Sequence, residues 1–375
     1  MARLGDICVF QSGGTPTKGE PSYFNGNIPW ITTVALNGSI IGEENAVDWI
    51  TEKAIEKSAA KIVPANSIMV GTRVGVGKVA INRVPMSASQ DIISLIDIDE
   101  SKWCKQFICK FILAKGIYLN SQARGATIKG IKIETLAELQ LPEVGLEEQL
   151  NVASVFDSVD ELIVLRKEQL AKLDQLVKAR FMEMFGDPMT NPKGFPCYTV
   201  GEVIDFQGGS QPDKKYFEYE PTPDNIRLIQ IRDYKSDRYI TYIPKAMAKR
   251  FCTADDIMIG RYGPPIFQIL RGIEGSFNVA LMKATPKMGN REFVRQFLKQ
   301  DCLLEYLEGL SKRTAGQDGI QMDKLKAYPF PYPPTALQEQ FATFLEQTDK
   351  TKLTIQASLD KLEVMKKALM QEYFG

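Results

Sequence analysis

Histidine is absent from this 375-residue chain. That removes the commonest general base and the commonest metal ligand, and it argues against a zinc site and against most hydrolase designs. Paired cysteines are also missing. The six present (Cys8, Cys104, Cys109, Cys197, Cys252, Cys302) form no C-x-x-C spacing and read as reduced, mostly buried thiols of a cytoplasmic protein. No apolar run approaches the roughly 18 residues of a membrane span, and the N-terminus does not read as a signal peptide. Net charge is lacking too, with 46 basic residues against 46 acidic ones. A nucleic-acid partner usually leaves a clearer basic excess. With 44% hydrophobic and 25% charged residues, the composition is that of an ordinary soluble protein with room for two or three domains.

Glycine and proline, the commonest helix breakers, are missing from two long stretches. Leu146 to Phe185 is 40 residues without either, closed by Gly186 and Asp187-Pro188. Apolar residues at three- and four-residue steps (Val152, Val155, Val159, Leu162, Leu173, Leu176) predict one helix, roughly 60 Å long, with these side chains on one stripe. Residues 335–374 repeat the pattern, with a predicted capping box at Thr335 and Gln338 and a stripe of Phe341, Phe344, Leu345, Ile355, Leu359, Leu362 and Leu369. An offset of 189 maps Asp160 onto Asp349, Leu173 onto Leu362, and Phe185-Gly186 onto Phe374-Gly375. Both stretches are acidic, whereas the segments 1–144 and 187–333 are slightly basic, with 15 basic against 14 acidic and 21 against 18 residues.

The repeat extends into those segments. Leu4-Gly5-Asp6-Ile7 and Phe10-Gln11-Ser12-Gly13 return at an offset of 196 as Val200-Gly201-Glu202-Val203 and Phe206-Gln207-Gly208-Gly209. Each is predicted as a short strand entering a Gly-rich turn that ends at Pro16 or Pro212. Ile68 to Gly71 returns as Ile257 to Gly260, each apolar strand leading to Arg73 or Arg261. Ser101 and Asn290 are predicted helix caps at equivalent positions, and Leu141-Pro142 matches Phe330-Pro331. No alignment joins Thr15–Lys61 to Gln211–Lys249, so the frame reads as duplicated and its filling as not. The expected layout is α+β: block, rod, block, rod, with a pseudo-twofold internal repeat.

No catalytic motif stands up. Gly71 to Val79 resembles a phosphate-binding loop, but five residues separate its glycines and Val79 replaces the hydroxyl that would hold Mg²⁺, so a hairpin with a basic tip is expected. Gly75-Val76-Gly77 lacks the third glycine of a dinucleotide fingerprint. Gly263-Pro264-Pro265-Ile266 has Gly where amino-methyltransferases need Asn or Asp. What remains are polar and basic residues beside the repeat anchors, of the types that read base edges or hold phosphates. In the first block these are Thr15, Lys18, Thr32, Thr33, Arg73, Lys78, Ser89, Gln90, Arg124 and Lys129. In the second they are Gln211, Lys214, Arg232, Arg261, Gln268, Asn278, Arg313 and Gln317.

The doubled frame, the Leu141-Pro142 and Phe330-Pro331 exits and the helix ending Met184-Phe185-Gly186-Asp187-Pro188 resemble the specificity subunit of a type I restriction-modification system over essentially the whole chain. The Asp-Pro pair occurs after the first rod alone. The resemblance implies a non-catalytic reader of double-stranded DNA with two mixed α/β target-recognition domains, at 1–144 and 187–333, each contacting half of a split site. It implies that the helical segments 145–186 and 334–375 pack as an antiparallel coiled coil that spaces the domains. Two methyltransferase subunits and two restriction subunits are the implied partners. S-adenosylmethionine, ATP and Mg belong to those partners, and no cofactor, metal or membrane is expected for this chain. The competing readings are a stand-alone DNA methyltransferase or nuclease, and a repeat adaptor that binds only protein.

Overall fold

Two helices of 40 residues each, Leu146–Phe185 (the central helix) and Thr335–Phe374 (the closing helix), occupy the two glycine- and proline-free stretches. The computed structural model describes residues 1–125, 129–262, 266–311 and 320–375. These fall into two compact units: Met1–Glu168 with Gln356–Gly375, and Gln169–Ile355. Each unit therefore contains one block, the first half of the helix that follows it, and the far end of the other helix.

Within each unit the two helical segments run antiparallel. In the first, Phe156 stacks on Phe374 at 5.8 Å, and Lys167 pairs with Glu363. In the second, Phe181 meets Phe341 edge-on at 5.6 Å, and Asp174 pairs with Lys352. The buried stripe of the central helix is Val152, Phe156, Val159, Ile163, Val177, Phe181 and Phe185. This corrects half of the stripe expected from the sequence: Val155, Leu162 and Leu176 are 43%, 42% and 49% exposed. The helix carries apolar residues on two faces, and periodicity alone cannot choose between them. The partner helix selects the face with Phe156 and Phe181, where aromatic area is largest. On the closing helix Phe341, Leu345 and Leu359 are buried as expected.

Among the described residues each block contains a two-stranded pair, Ala2–Arg3 with Gln140–Leu141 or Cys197–Thr199 with Pro329–Pro331, and two larger sheets. In the first unit one sheet has the order Val9–Ser12, Ile92–Ile96, Ile68–Gly71, Val79–Asn82, Ile40–Ile41; the other has Asp48–Ile50, Phe24–Ile31, Met86–Ala88, Ile62–Val63. In the second unit the orders are Ile204–Gly208, Leu281–Pro286, Ile257–Gly260, Gln268–Arg271 and Tyr242–Pro244, Asn225–Ile229, Gly275–Phe277, Phe251–Cys252. Four strands of each sheet correspond one to one. Even the parallel pair recurs, Trp30 opposite Ser87 and Leu228 opposite Ser276. The segments that resist alignment thus share a topology. Strand pairing needs only an apolar inner face, so it tolerates replacement of every outward residue.

The repeat start is not a strand. Leu4–Asp6 is a single 3₁₀ turn and Val200–Val203 a short helix, each followed by its strand, Val9–Ser12 or Ile204–Gly208. Thr199 and Glu202 form a capping box there, which a strand reading overlooks. The Asn290 cap is present: its side chain accepts from the N–H groups of Glu292 and Phe293. Ser101 does not cap a helix. Its N–H and hydroxyl both turn back to Asp99, and the helix Lys105–Ala114 begins after Cys104. The structural counterparts are Cys104 and Asn290, at an offset of 186, which also aligns Phe107 with Phe293 and Phe111 with Phe297.

The reason for that placement lies in the long helices. Gln149 and Gln338 are 1% and 0% exposed. The Gln149 side-chain oxygen accepts from the Cys104 N–H at 2.9 Å, and its amide donates to the carbonyls of Lys102 (3.0 Å) and Val144 (2.9 Å). Gln338 accepts from the Asn290 N–H at 2.8 Å and donates to Pro333 at 2.8 Å. The expected capping box at Thr335 is therefore not formed, because the Gln338 side chain ties the block to the rod. Phe374 against Phe107 (5.1 Å) and Phe185 against Phe293 (4.7 Å) complete the same joint in the two units.

Candidate nucleic-acid interface

The Gly-rich turns bring distant residues together. In the first unit the Gly13 N–H donates to Ile92 and the Gly14 N–H to Ala88, at 3.0 and 2.8 Å. A Cβ on Gly13 would collide with the Ser89 carbonyl, and one on Gly14 with the Ala59 carbonyl. This close approach of two backbones is what glycine permits. It delivers Thr15 beside the segment Ser89–Asp91, where the Gln90 N–H faces its hydroxyl at 3.5 Å.

Next to it projects the expected hairpin, Ile68–Gly71 paired antiparallel with Val79–Asn82. Its tip is pinned on two sides. The Thr72 N–H donates to the Asp91 carbonyl at 2.8 Å, and the Thr72 carbonyl accepts from the Ile131 N–H at 2.8 Å. Arg73 follows, 53% exposed at its side chain, with Nη1 4.0 Å from the Asp91 carboxylate. Lys78 stands exposed opposite Gly71, whose N–H it accepts at 2.8 Å. Arg73, Gln122, Arg124, Lys132 and Thr135 line a cavity of about 520 Å³. Exposed Lys129 is next to Gly130, which bridges Arg124.

The second unit repeats the construction. Gly209 and Ser210 donate to Leu281 and Phe277, both at 3.1 Å, and a Cβ on Gly209 would collide with the Asn278 carbonyl. Gln211 accepts from the Asn278 amide at 3.5 Å. The Arg261 N–H donates to Ala280 at 2.9 Å, the counterpart of Thr72 on Asp91. The Arg261 guanidinium lies 5.2 Å from the centre of the Tyr262 ring. Gln268 sits opposite Gly260, as Lys78 sits opposite Gly71. Asn278 donates its N–H to Ile229 as Ser89 does to Ile31, at 3.0 and 2.9 Å.

Thr15, Arg73, Lys78, Ser89, Gln90 and Arg124 thus form one cluster, and Gln211, Arg261, Gln268 and Asn278 another. Ser89 and Asn278 are buried, 4% and 8% exposed, and the Asn278 side chain is engaged by Gln211 and the Ala280 N–H. Thr33 is also buried, at 5%, and forms with half-buried Thr32 the turn after Phe24–Ile31. Lys18 and Lys214 occupy separate exposed turns. Arg232 is exposed but donates to the Thr241 hydroxyl at 3.0 Å. Its loop is held by Asp233, which caps the Gln230 N–H; burial pushes that carboxyl above the usual range despite this bond and the nearby Arg227. Arg313 and Gln317 lie outside the described residues. Sequence reasoning passed over Asp91, Gln122, Lys132, Thr135 and Tyr262. Asp91 and Tyr262 adjoin residues it chose, but an acid and an aromatic do not stand out in a search for bases and amides.

Among the described residues no group of three or more His, Cys, Asp or Glu side chains is placed to hold a metal ion. None of the described helices is long and apolar enough to cross a membrane.

The type I restriction modification DNA specificity domain matches twice, over residues 1–175 and 192–364. The specificity subunit of the type I restriction enzyme MjaIX from Methanocaldococcus jannaschii is 28% identical over 279 residues, 64% of this chain and 63% of that protein. The specificity subunit of EcoR124I/EcoR124II from Escherichia coli is 29% identical over 166 residues, 42% of this chain and 40% of that protein. The matched region is therefore under two thirds of the length of either relative. The type I restriction-modification S subunit of M. genitalium has the same fold, with a TM-score of 0.58 at 17% identity over 100% of this chain and 95% of its own. With both blocks matched and most of the chain covered, this protein belongs to the family of type I restriction-modification DNA specificity domains.

Proposed function

We propose that the chain is the DNA-reading, non-catalytic subunit of a type I restriction-modification enzyme. Residues 1–144 and 187–333 are its target-recognition domains, each reading half of a bipartite double-stranded site. Segments 145–186 and 334–375 are the spacers on which two methyltransferase subunits dock, with two restriction subunits joining for cleavage. S-adenosylmethionine, ATP and Mg serve those partners.

The observation that carries this reading is one cluster built twice with different side chains. A glycine turn, a hairpin tip and the segment after a parallel strand pair meet in both units. Yet Thr15 is replaced by Gln211 and Lys78 by Gln268. A conserved frame presenting different donors and acceptors suits two readings of different base sequences. The docking role is supported by the apolar face of the central helix in the first unit, where Leu150, Val155, Leu162, Val164 and Leu165 are 42–53% exposed. Large apolar side chains left exposed along one helical segment mark a protein interface.

The test replaces residues 15–130 by the equivalent segment of a related subunit, in complex with the methyltransferase partner. Modification-sensitive sequencing should show one half of the methylated site changed and the other retained. A swap that alters both halves, or neither, refutes modular reading.

A further inference from the structure

The two hairpin arginines stand one position apart in the repeat, Arg261 matching Thr72 and Tyr262 matching Arg73, and they have different neighbours. Thr72 and Arg261 each donate a backbone N–H to the residue that begins the returning segment, Asp91 in one unit and Ala280 in the other. These two residues are counterparts at the offset of 189. At that position the first unit carries a carboxylate beside Arg73 and the second an alanine, and the Arg261 guanidinium lies over Tyr262.

A carboxylate beside a nucleic-acid-facing arginine has a chemical consequence. The Asp91 side chain is 27% exposed, so it meets the same solvent as Arg73. A phosphate approaching Arg73 would bring its negative oxygens against that carboxylate, and like charges at such range repel. A base edge carries no net charge and escapes the penalty. In the major groove a G·C pair shows the guanine O6 and N7 acceptors next to the cytosine N4 donor. Arginine donates to the first two, and aspartate accepts from the third. Arg73 Nη1 and the Asp91 carboxylate stand 4.0 Å apart, donor beside acceptor, which is the complement of that edge. An A·T pair reverses the polarity, with a donor on adenine where guanine has an acceptor.

Resting on the reading of this chain as a DNA-binding subunit, we propose that Arg73 and Asp91 act as one unit that selects a G·C pair in the half-site read by the first block. Asp91 is the discriminating member: it makes the arginine a base reader rather than a phosphate holder. The placement is rigid. Thr72 binds the Asp91 carbonyl through both its N–H (2.8 Å) and its hydroxyl (3.2 Å), and the Ile131 N–H holds the other side of the hairpin tip.

The experiment uses the assembled complex of the chain with its methyltransferase partner and a pool of randomised duplexes, from which bound sequences are selected. It compares wild type, Arg73→Ala and Asp91→Ala, the last installing the residue found in the second unit. Wild type should select a half-site containing a required G·C pair. Both variants should relax preference at that same pair, by about 5- to 150-fold each, and leave the other half-site unchanged. Asp91→Ala should also strengthen binding to non-cognate duplexes and steepen the salt dependence, because Arg73 becomes free to hold a phosphate. Thermal unfolding of each variant checks that the block is folded. A variant that fails that check is replaced by Arg73→Lys or Asp91→Asn, either of which should relax the same pair.

If Asp91→Ala raises affinity for every duplex and leaves the selected sequence intact, Asp91 is only a counter-ion and the proposal fails. It fails equally if the two variants relax different positions, or if neither alters selection. A wild-type complex that selects no sequence would instead refute the DNA-reading assignment on which the proposal stands.

Discussion

Replacing Gln149 by leucine should destabilise the first unit far more than a surface glutamine would suggest. The side chain is 1% exposed and makes three hydrogen bonds, accepting from the Cys104 N–H and donating to the carbonyls of Lys102 and Val144. Leucine has similar volume, so the cavity contribution is small and the cost comes from the stranded polar groups. The Cys104 N–H precedes the helix Lys105–Ala114 and would be left without its acceptor. A buried donor left unpaired costs about 1–3 kcal/mol, and the two carbonyls bring the expected loss to about 2–5 kcal/mol. With a urea dependence of about 2 kcal/mol per molar, the midpoint of the first unit should fall by about 1–2.5 M. The two units are distinct compact bodies, so the measurement needs to resolve them. Hydrogen exchange read by mass spectrometry does so. Protection should drop in Lys105–Ala114 and the start of the central helix, and strand Ile257–Gly260 should change less. Gln338→Leu should give the mirror result, with protection lost in Arg291–Leu298. A Gln149→Leu protein that unfolds at the wild-type midpoint with unchanged protection would refute the claim that this side chain joins block to rod.

The remaining expectations concern the same joints and turns. Phe374→Ala removes a ring packed on Phe107, Phe111 and Phe156 and should cost about 3–5 kcal/mol, checked by calorimetry of the first unit's transition. Gly209→Ala forces a Cβ into the Asn278 carbonyl and should abolish reading of the second half-site while leaving the first, measured by methylation sequencing. Burial works against the Asp160 carboxylate, but Lys366 and Lys110 outweigh it and hold its pKa below the usual value. A depressed carboxylate stabilises the fold above its unfolded pKa of about 3.9, and that contribution is lost as pH falls through the folded-state value. Asp160→Asn should therefore be less stable than wild type near neutrality, with the two denaturation midpoints converging in acid; a constant difference down to the lowest pH would contradict the ion-pair account.

The sequence by itself determined the two helices to the residue, because forty positions without glycine or proline and with apolar residues at helical steps leave no competing local structure. It also determined the repeat, since the anchors Ile68–Gly71 and Ile257–Gly260 are apolar strands whose burial restricts substitution. Which face of the central helix lies inside was set by the packing of the whole chain. Val155, Leu162 and Leu176 are as apolar as the residues that are buried, and only the partner helix distinguishes them. Tertiary structure decided where the helix after Asp99 begins, because the acceptor for the Cys104 N–H is Gln149, 45 residues away. It decided the clusters as well. Thr15 and Gln90 are 75 positions apart and meet only because two glycines let backbones touch. Asp91, beside Arg73 in space, is 18 positions from it in the chain. Local pattern records what each residue can do alone; pairing of distant backbones sets what stands next to it, and in this protein the proposed reading of DNA depends on those neighbours.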